Sequence, residues 1–306
     1  MSLLDAGLRG ICFFCGEHIN QNATKEHIFP QNLLKRFSLK EENFSGQNFN
    51  LIQYSRCKVN AHRECNNECG SVYEQKILKI IESFINERER IKEFHLSPDD
   101  LLPYNENASI YRPSEDDRAI LSTWLIKLYY GIIWYEAMQP GPSFFLSKLQ
   151  EPSFKLMQKS YQHGYGFNMP SSVYCLECNS EVPFDWGMMV AWDIFWIKIG
   201  KLLFMININD GNLLDLETEF LCKQPWNAAH HPFGFIYPLS EFVTASRLIK
   251  ERHPPKYILD DSNEWLANES LLTLSKLSEK RKRFEEGWDT LWQQTLDILS
   301  EHYFGS

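Results

Sequence analysis

Two short motifs near the start of the chain pair the side-chain types that bind zinc. Cys12 and Cys15 form a CxxC pair followed by glycine, and His62 and Cys65 repeat the same spacing with one imidazole and one thiolate. Two ligands separated by two residues can reach one tetrahedral ion, and thiolates and imidazoles are the usual ligands of structural zinc. These two half-sites therefore predict a structural zinc site.

Between and beside these half-sites lie groups suited to hydrolytic chemistry. Glu26 and His27 stand before Ile-Phe-Pro, Asn66 follows Cys65 directly, and Glu74 lies on the next predicted helix. An imidazole with an unperturbed pKa of about 6.5 can take a proton from water at neutral pH. The amide oxygen of Asn66 is a ligand suited to a hard cation such as Mg²⁺ or Mn²⁺. These residues combine a candidate base with a candidate ligand for a hard cation.

The order CxxC, EHxxP, HxxC-Asn-Asn over roughly residues 10–80 resembles the zinc-containing branch of the HNH endonuclease family. The resemblance implies a ββα-metal finger clamped by the structural zinc, which hydrolyses phosphodiester bonds in DNA. It also implies that His27 is the general base and that Glu26 and Asn66 hold a catalytic Mg²⁺ or Mn²⁺. Two positions depart from the common pattern: His62 stands where the family usually has Cys, and Glu26 where it often has Asp.

The resemblance further implies a bacterial antiphage-defence or restriction effector that acts on DNA and pairs with an ATPase or with a second copy of itself. Two other functions remain open. The first is a catalytically silent, zinc-stabilised nucleic-acid-binding or adaptor protein. The second is an HNH enzyme that cuts RNA, since the phosphodiester chemistry is the same for both nucleic acids.

Several residue assignments also have alternatives. Another cysteine, Cys57 or Cys69, is available in place of His62 as the fourth zinc ligand. Asn66 also suits a helix N-cap, and Glu74 also suits a solvated helix surface. The family's middle asparagine, which holds the loop of the catalytic histidine, has three candidates: Asn48, Asn50 and Asn60.

Two motifs farther along the chain are interpreted as structural. Cys175 and Cys178 form a second CxxC, but no matching pair follows, and a strand would place them on opposite faces. We expect buried cysteines there. The basic run at 280–283 precedes two glutamates, which favours a solvated helical face over a phosphate contact. Lys127 is the polar member of an otherwise apolar helix.

The elements that must position these groups follow from periodicity and from turn residues. Apolar residues at helical spacing predict helices over 70–94, 114–137, 144–162 and 274–303. Ser114, with Asp117 three residues later, is typical of a helix N-terminus. Period-two segments at 173–181 and 188–209 predict antiparallel strands, with a turn signal at 209–211. The fold class is therefore predicted to be α+β.

Composition and charge set the domain organisation. The net charge of the 306-residue chain is −9, and residues 1–95 carry 13 basic against 12 acidic side chains, so the acidity belongs to the remainder. A Pro- and Asp-rich stretch near residue 95 suggests a nuclease domain over 1–95 and an α+β accessory domain over 96–306, for regulation, dimerisation or partner docking. The acidic accessory domain is a poor DNA clamp.

The composition also bears on where the protein resides. The longest apolar stretch is interrupted by Lys127, which predicts no membrane partner. No apolar segment precedes Cys12, which predicts no signal peptide, and eight cysteines in a reducing compartment favour metal binding over disulfides. We expect a cytoplasmic protein.

Overall fold

The helices and strands of the protein come from a computed structural model. It describes residues 7–19, 23–46, 51–87, 89–90, 109–111, 114–139, 144–163, 172–178, 180–190, 193–208, 234–238, 298–299 and 302–303. The helices are α1 (Gln31–Arg36), α2 (Ser71–Asn86), α3 (Glu115–Ala137), α4 (Phe144–Lys148) and α5 (Pro152–His163). A 3₁₀ turn covers Tyr54–Arg56, and a π-helical turn covers Cys65–Gly70.

Eleven strands are formed by the described residues. They are β1 (Ala23–His27), β2 (Asn43–Ser45), β3 (Leu51–Gln53), β4 (Lys58–His62), β5 (Glu89–Arg90), β6 (Ser109–Tyr111), β7 (Ser172–Glu177), β8 (Phe184–Met189), β9 (Ile194–Ile199), β10 (Leu202–Asn207) and β11 (Gly234–Pro238). β1 pairs with β4 and β2 with β3, both antiparallel. The other seven form one sheet in the order β5-β6-β11-β7-β10-β9-β8. The predicted α+β class is confirmed.

The chain divides into two compact units. The first unit comprises Met1–Lys79 and Thr123–Phe167, and the second comprises Ile80–Ser122 and Asn168–Ser306. The first unit therefore contains most of α3 and all of α5, which the sequence analysis assigned to the accessory domain. The predicted boundary at residue 95 falls outside the described residues and stays a prediction.

The core of the first unit is aromatic. Phe13 and Phe14, which lie between Cys12 and Cys15, are fully buried. The ring of Phe13 contacts Trp134 of α3 edge-on at a centroid distance of 5.6 Å, and it also contacts Phe154 of α5 at 5.8 Å. Phe14 contacts Tyr161 of α5 at 4.8 Å. Burial of such large rings anchors the first half-site to both helices.

The second unit is organised around its sheet. Every residue of β9, which lies between β10 and β8, is buried, so both faces of this strand are covered. Lys198 is the charged residue of this otherwise apolar strand, and its ammonium donates to the carbonyls of Ser180, Val182 and Gly200. Three acceptors satisfy the three N–H donors of a buried lysine. Burial lowers the pKa of Lys198.

Most of the predicted elements that fall on described residues are present. Helix α3 begins after Ser114, whose Oγ accepts the backbone N–H of Asp117 at 3.1 Å, as the capping pattern predicts. Strands β7, β9 and β10 occupy the two segments with period-two patterning, whereas four of the six residues of β8 lie between those segments and were not predicted. None of the helices in the described ranges combines the length and apolarity needed to cross a bilayer.

Two helix predictions were wrong in extent. The helix predicted over 70–94 ends at Asn86, because Glu89 and Arg90 pair with β6 instead. The helix predicted over 144–162 is two helices, and the second begins at Pro152, since proline lacks an N–H and suits the first turn of a helix. The turn predicted at 209–211 lies outside the described residues, as does almost all of the helix predicted over 274–303.

Candidate metal centre and active site

The structure brings the four predicted zinc ligands together. One ligand atom each from Cys12, Cys15, His62 and Cys65 lies within 4.8 Å of every other. The Nδ1 of His62 is 3.4 Å from the Sγ of Cys15 and 3.9 Å from the Sγ of Cys65. Ligands at 2.0–2.3 Å from a tetrahedral zinc stand roughly 3.5 Å apart. The composition and spacing of this Cys₃His cluster therefore suit one zinc ion.

The backbone of the first half-site forms a tight knuckle. The N–H of Gly16 donates to the carbonyl of Cys12 at 2.9 Å, and the N–H of Cys12 donates to the carbonyl of Glu17 at 2.9 Å. Gly16 has φ of +75°, a conformation that other residues adopt only with strain. The glycine after the CxxC pair is therefore required by the turn that points both thiols inward.

Helix α5 supports this knuckle from outside. The side-chain amides of Gln158 and Gln162, one helical turn apart, donate to the carbonyls of Phe13 at 2.9 Å and Cys15 at 3.2 Å. Sequence analysis did not identify these glutamines. Their i, i+4 spacing on one helix face is visible in the sequence, but nothing in the sequence shows that this face meets the knuckle.

The second half-site is held by β4 and the π-helical turn. The backbone N–H of His62 lies 3.3 Å from the Sγ of Cys12, and the Nε2 of His62 lies 3.2 Å from the carbonyl oxygen of His18. A hydrogen bond from Nε2 to that carbonyl leaves Nδ1 free to act as a ligand, which is the usual arrangement at zinc.

The alternative fourth ligands do not join this cluster among the described side chains. Cys57 is fully buried as a free thiol, and burial together with the nearby Glu136 raises its pKa. A cysteine in that environment behaves as an inert apolar residue. The side chain of Cys69 lies outside the described residues.

His27 occupies the last position of β1, directly across from Lys58 of β4. It is half-buried, and burial lowers its pKa to about 4, with further lowering by the positive charges of Lys58, Lys127 and Lys40. The imidazole is therefore neutral at physiological pH and able to accept a proton.

Glu26 precedes His27 on the same strand, so the two side chains face opposite sides of the β1–β4 pair. The Glu26 side chain is buried, and its Oε1 accepts a hydrogen bond from the ammonium of Lys127 at 2.8 Å. A carboxylate has a second oxygen with its own lone pairs, so this ion pair does not use all of its acceptor capacity.

The contacts of Lys127 of α3, like those of the two glutamines, were not predicted from the sequence. Its side chain is 1% exposed, and besides Glu26 it donates to the carbonyls of His27 at 2.9 Å and Ile28 at 3.2 Å. Gly131, one turn later, allows α3 to approach this segment, because a Cβ there would lie 2.9 Å from the side chain of Ile28. Lys127 thus fixes the backbone that presents His27.

Glu74 lies near the ion pair of Lys127 and Glu26. It is therefore not on a solvated helix surface, which was one of the two predictions made for it from the sequence. Its Oε1 lies 3.9 Å from the ammonium of Lys127. Burial raises the pKa of Glu74 to about 7, opposed by Lys127 and reinforced by the charge of Glu26. Two carboxylates therefore share one buried ammonium beneath the end of β1.

Two asparagines lie close to the β1–β4 pair. Asn66, in the π-helical turn, lies with its Nδ2 3.5 Å from the Oγ1 of Thr24, on the face that also carries Glu26. Asn60 of β4 is buried, where it accepts from the ammonium of Lys25 and donates to the carbonyl of Arg9. The other candidates for the middle asparagine, Asn48 and Asn50, lie outside the described residues.

The motifs interpreted as structural fall in the second unit. Cys175 and Cys178 are both buried, and no metal-binding cluster among the side chains that the structure describes includes them. The basic run at 280–283 lies outside the described residues.

Comparison with protein-family models, with curated proteins and with solved structures returns no match for this chain. The function must therefore be argued from the site itself.

Proposed function

We propose that the protein is a metal-dependent endonuclease of the HNH type that hydrolyses phosphodiester bonds in DNA. The observation that carries the proposal is the position of His27. A neutral, half-buried imidazole stands on a strand whose pairing partner carries a zinc ligand and leads into Asn66. In this proposal β1 and β4 are the strands and α2 is the helix of the ββα-metal finger that the resemblance implies.

Each group in this centre has a chemical role. His27 takes the proton from the attacking water, since its unprotonated form persists at neutral pH. Glu26 and Asn66 provide a carboxylate and an amide oxygen, and such oxygens suit Mg²⁺ or Mn²⁺. When bound, such an ion supplies positive charge to the scissile phosphate and its leaving oxygen. The Cys₃His cluster is structural, because all four of its ligands come from the protein.

Plasmid cleavage with added Mg²⁺ or Mn²⁺ tests the proposal. Loss of a general base costs about 100-fold or more in rate, so His27→Ala and Asn66→Ala should cut poorly, whereas His18→Gln, at an exposed histidine, should cut like the wild type. Zinc content is measured on every sample to separate lost chemistry from misfolding. Asn66 is a cleaner target than Glu26, whose replacement would also remove the charge that balances Lys127.

Equal cutting by all variants would contradict the assignment of the active site. A parallel substrate series with single-stranded and double-stranded RNA tests the RNA-cutting alternative. The antiphage or restriction role and the ATPase or homodimer partner stay predictions from the resemblance.

One contact favours a second function, a zinc-stabilised binding module with a silent centre. The proposed metal ligand Glu26 is buried and already paired with Lys127. An ammonium competes with a metal ion for the same carboxylate. Zinc-replete wild-type protein that binds DNA but cleaves neither DNA nor RNA with either metal would establish this second function.

A further inference from the structure

A groove of about 590 Å³ opens along the β1–β4 pair in the first unit. Residues from both strands, from the segment before the knuckle, from the 3₁₀ turn and from the end of α3 line it. Its volume lies in the range of ordinary ligand sites. Its lining is unlike that of an apolar ligand site, because four of the residues that border it are basic: Arg9, Lys25, Arg56 and Lys58.

Among the residues that the structure describes, no acidic side chain lines this groove to balance those cations. Arg9, Lys25 and Arg56 are exposed and Lys58 is half-buried, so all four charges are accessible to a ligand. The first 95 residues carry almost no net charge, so this concentration of positive charge is local rather than a property of the segment. A groove lined by charges of one sign focuses the electrostatic field, and a positively charged groove attracts a polyanion.

The register of the two strands places this charge beside the proposed catalytic histidine. Lys58 is paired with His27, and Lys25 is paired with Asn60 two positions away. Directly opposed residues in an antiparallel ladder point to the same face. Lys25, His27, Lys58 and Asn60 therefore share one face, and three of these residues, Lys25, Lys58 and Asn60, line the groove.

Two neutral residues complete the site. Asn60 also lines the groove, and its side chain is fixed because its amide donates to the carbonyl of Arg9 and its oxygen accepts from Lys25. Those contacts hold Lys25 in place over the strand pair. Tyr135 of α3 also lines the groove and is half-buried. A phenol ring beside several cations can contact a sugar or a base while the cations contact phosphates.

We propose that this groove binds the phosphate backbone of the nucleic-acid strand that the enzyme cuts. Its relation to cleavage rests on the proposed nuclease function, whereas binding itself does not. The anionic backbone is common to DNA and RNA, and we expect DNA to be the ligand. Each phosphate contact adds about one unit to the steepness with which the logarithm of the binding constant falls against the logarithm of the salt concentration.

Fluorescence anisotropy with a labelled 20-base-pair DNA duplex tests the proposal on the full chain, without added divalent metal. The double charge reversal Arg56→Glu/Lys58→Glu should weaken binding at least about tenfold and should lower the salt slope by about two. The control Lys76→Glu/Lys155→Glu changes the net charge equally at exposed lysines of α2 and α5 outside the groove. It should stay within about twofold of the wild type.

A milder variant, Arg9→Gln/Arg56→Gln, changes only exposed side chains and keeps the test valid if the charge reversal impairs folding. Zinc content and thermal unfolding are measured on each protein. Equal weakening by the groove and control variants overturns the proposal, and so does failure of the wild type to bind any nucleic acid. A matched RNA duplex and single strand form the second arm, and groove-dependent binding of RNA alone supports the groove with RNA as its ligand.

The outcomes for the groove and for the nuclease are separable. Groove-dependent binding without any cleavage leaves the groove supported and the proposed catalysis refuted. Cleavage that depends on His27 but is unaffected by either groove variant leaves catalysis supported and refutes the groove.

Discussion

At the scale of single residues, the contact that most changes the interpretation of the site is the one made by Lys127. In the sequence it interrupts an apolar helix, 101 positions away from Glu26. In the structure its ammonium has three acceptors at the end of β1, so it is fully satisfied although buried. A lysine with this set of contacts acts as a positioning residue for the proposed base.

The pKa of His27 leads to the first prediction at this scale. Burial and nearby lysines hold that pKa at about 4 in the folded protein, whereas an unfolded histidine titrates near 6.5. We expect the imidazole carbon and proton NMR signals of His27 to stay constant from pH 8 down to pH 6. The variant His27→Gln identifies the signals, and a midpoint near 6.5 would contradict the burial of this side chain.

The same shift has a consequence for stability. Between pH 6.5 and 4 the unfolded chain binds a proton at His27 that the folded chain does not bind. The stability contributed by this site is therefore fully present above pH 6.5 and is lost as the pH falls towards 4. In denaturant titrations of the zinc-bound protein, His27→Gln should weaken the fall in unfolding free energy over that interval.

At the scale of elements, the four residues of the Cys₃His cluster lie on two short backbone segments, and the spacing of the ligands in each segment is visible in the sequence. The CxxC-Gly turn and the HxxC pair were predicted from spacing alone, and the structure brings all four ligands together. The choice of His62 over Cys57 needs tertiary structure, since only the fold shows that Cys57 points into the core. Local spacing predicts a half-site, but it cannot predict which side chains become buried.

Zinc removal is the prediction that belongs to this scale. Burial and the neighbouring thiols of Cys12 and Cys15 raise the pKa of Cys65, and ligation requires its deprotonation, so zinc binding should weaken as the pH falls. Cys65→Ala should lose the zinc and lower the midpoint of thermal unfolding by about 10 °C or more. One zinc per chain in the wild type and none in the variant, by elemental analysis, is the expected result.

Cys57→Ala is the matched control for this experiment. It removes a buried thiol that lies outside the cluster and should keep one zinc per chain, with a smaller loss of stability from the small cavity. Retention of zinc by His62→Ala together with its loss in Cys57→Ala would show that the fourth ligand had been assigned wrongly.

Helix α3 shows where sequence reasoning stops at this scale. Its start at Ser114 and its end near Ala137 were predictable, because capping residues act locally. Its surroundings were not predictable from a single apolar stripe. Residues 119–134 are all buried, so the helix is covered on every side. A stripe identifies one packed face, but partners more than 100 residues away decide what covers the others.

At the scale of the whole chain, the main difference from the sequence analysis is where the supports of the candidate site come from. The knuckle, β1, β4 and the start of α2 lie within the first 79 residues, but α3 and α5 belong to the same compact unit. Lys127 supports β1, and Gln158 and Gln162 support the knuckle. A linker-like composition near residue 95 therefore does not by itself indicate that the segment before it folds alone.

Two fragments test this dependence. A fragment of residues 1–95 lacks α3 and α5, which would expose the rings of Phe13 and Phe14 and leave the buried carboxylate of Glu26 without its ammonium. We expect no cooperative thermal transition from it. A fragment of residues 1–167 contains both helices and should unfold cooperatively with one bound zinc.

Within the fragment of residues 1–167, Lys127→Met should lower the free energy of unfolding by about 3–5 kcal/mol, the usual loss when one partner of a buried ion pair is removed. Lys155→Met, at an exposed lysine of α5, should cost almost nothing. Cooperative unfolding of the shorter fragment, with zinc bound and with the stability of the longer one, would instead show that residues 1–95 fold independently and that the boundary at residue 95 is correct.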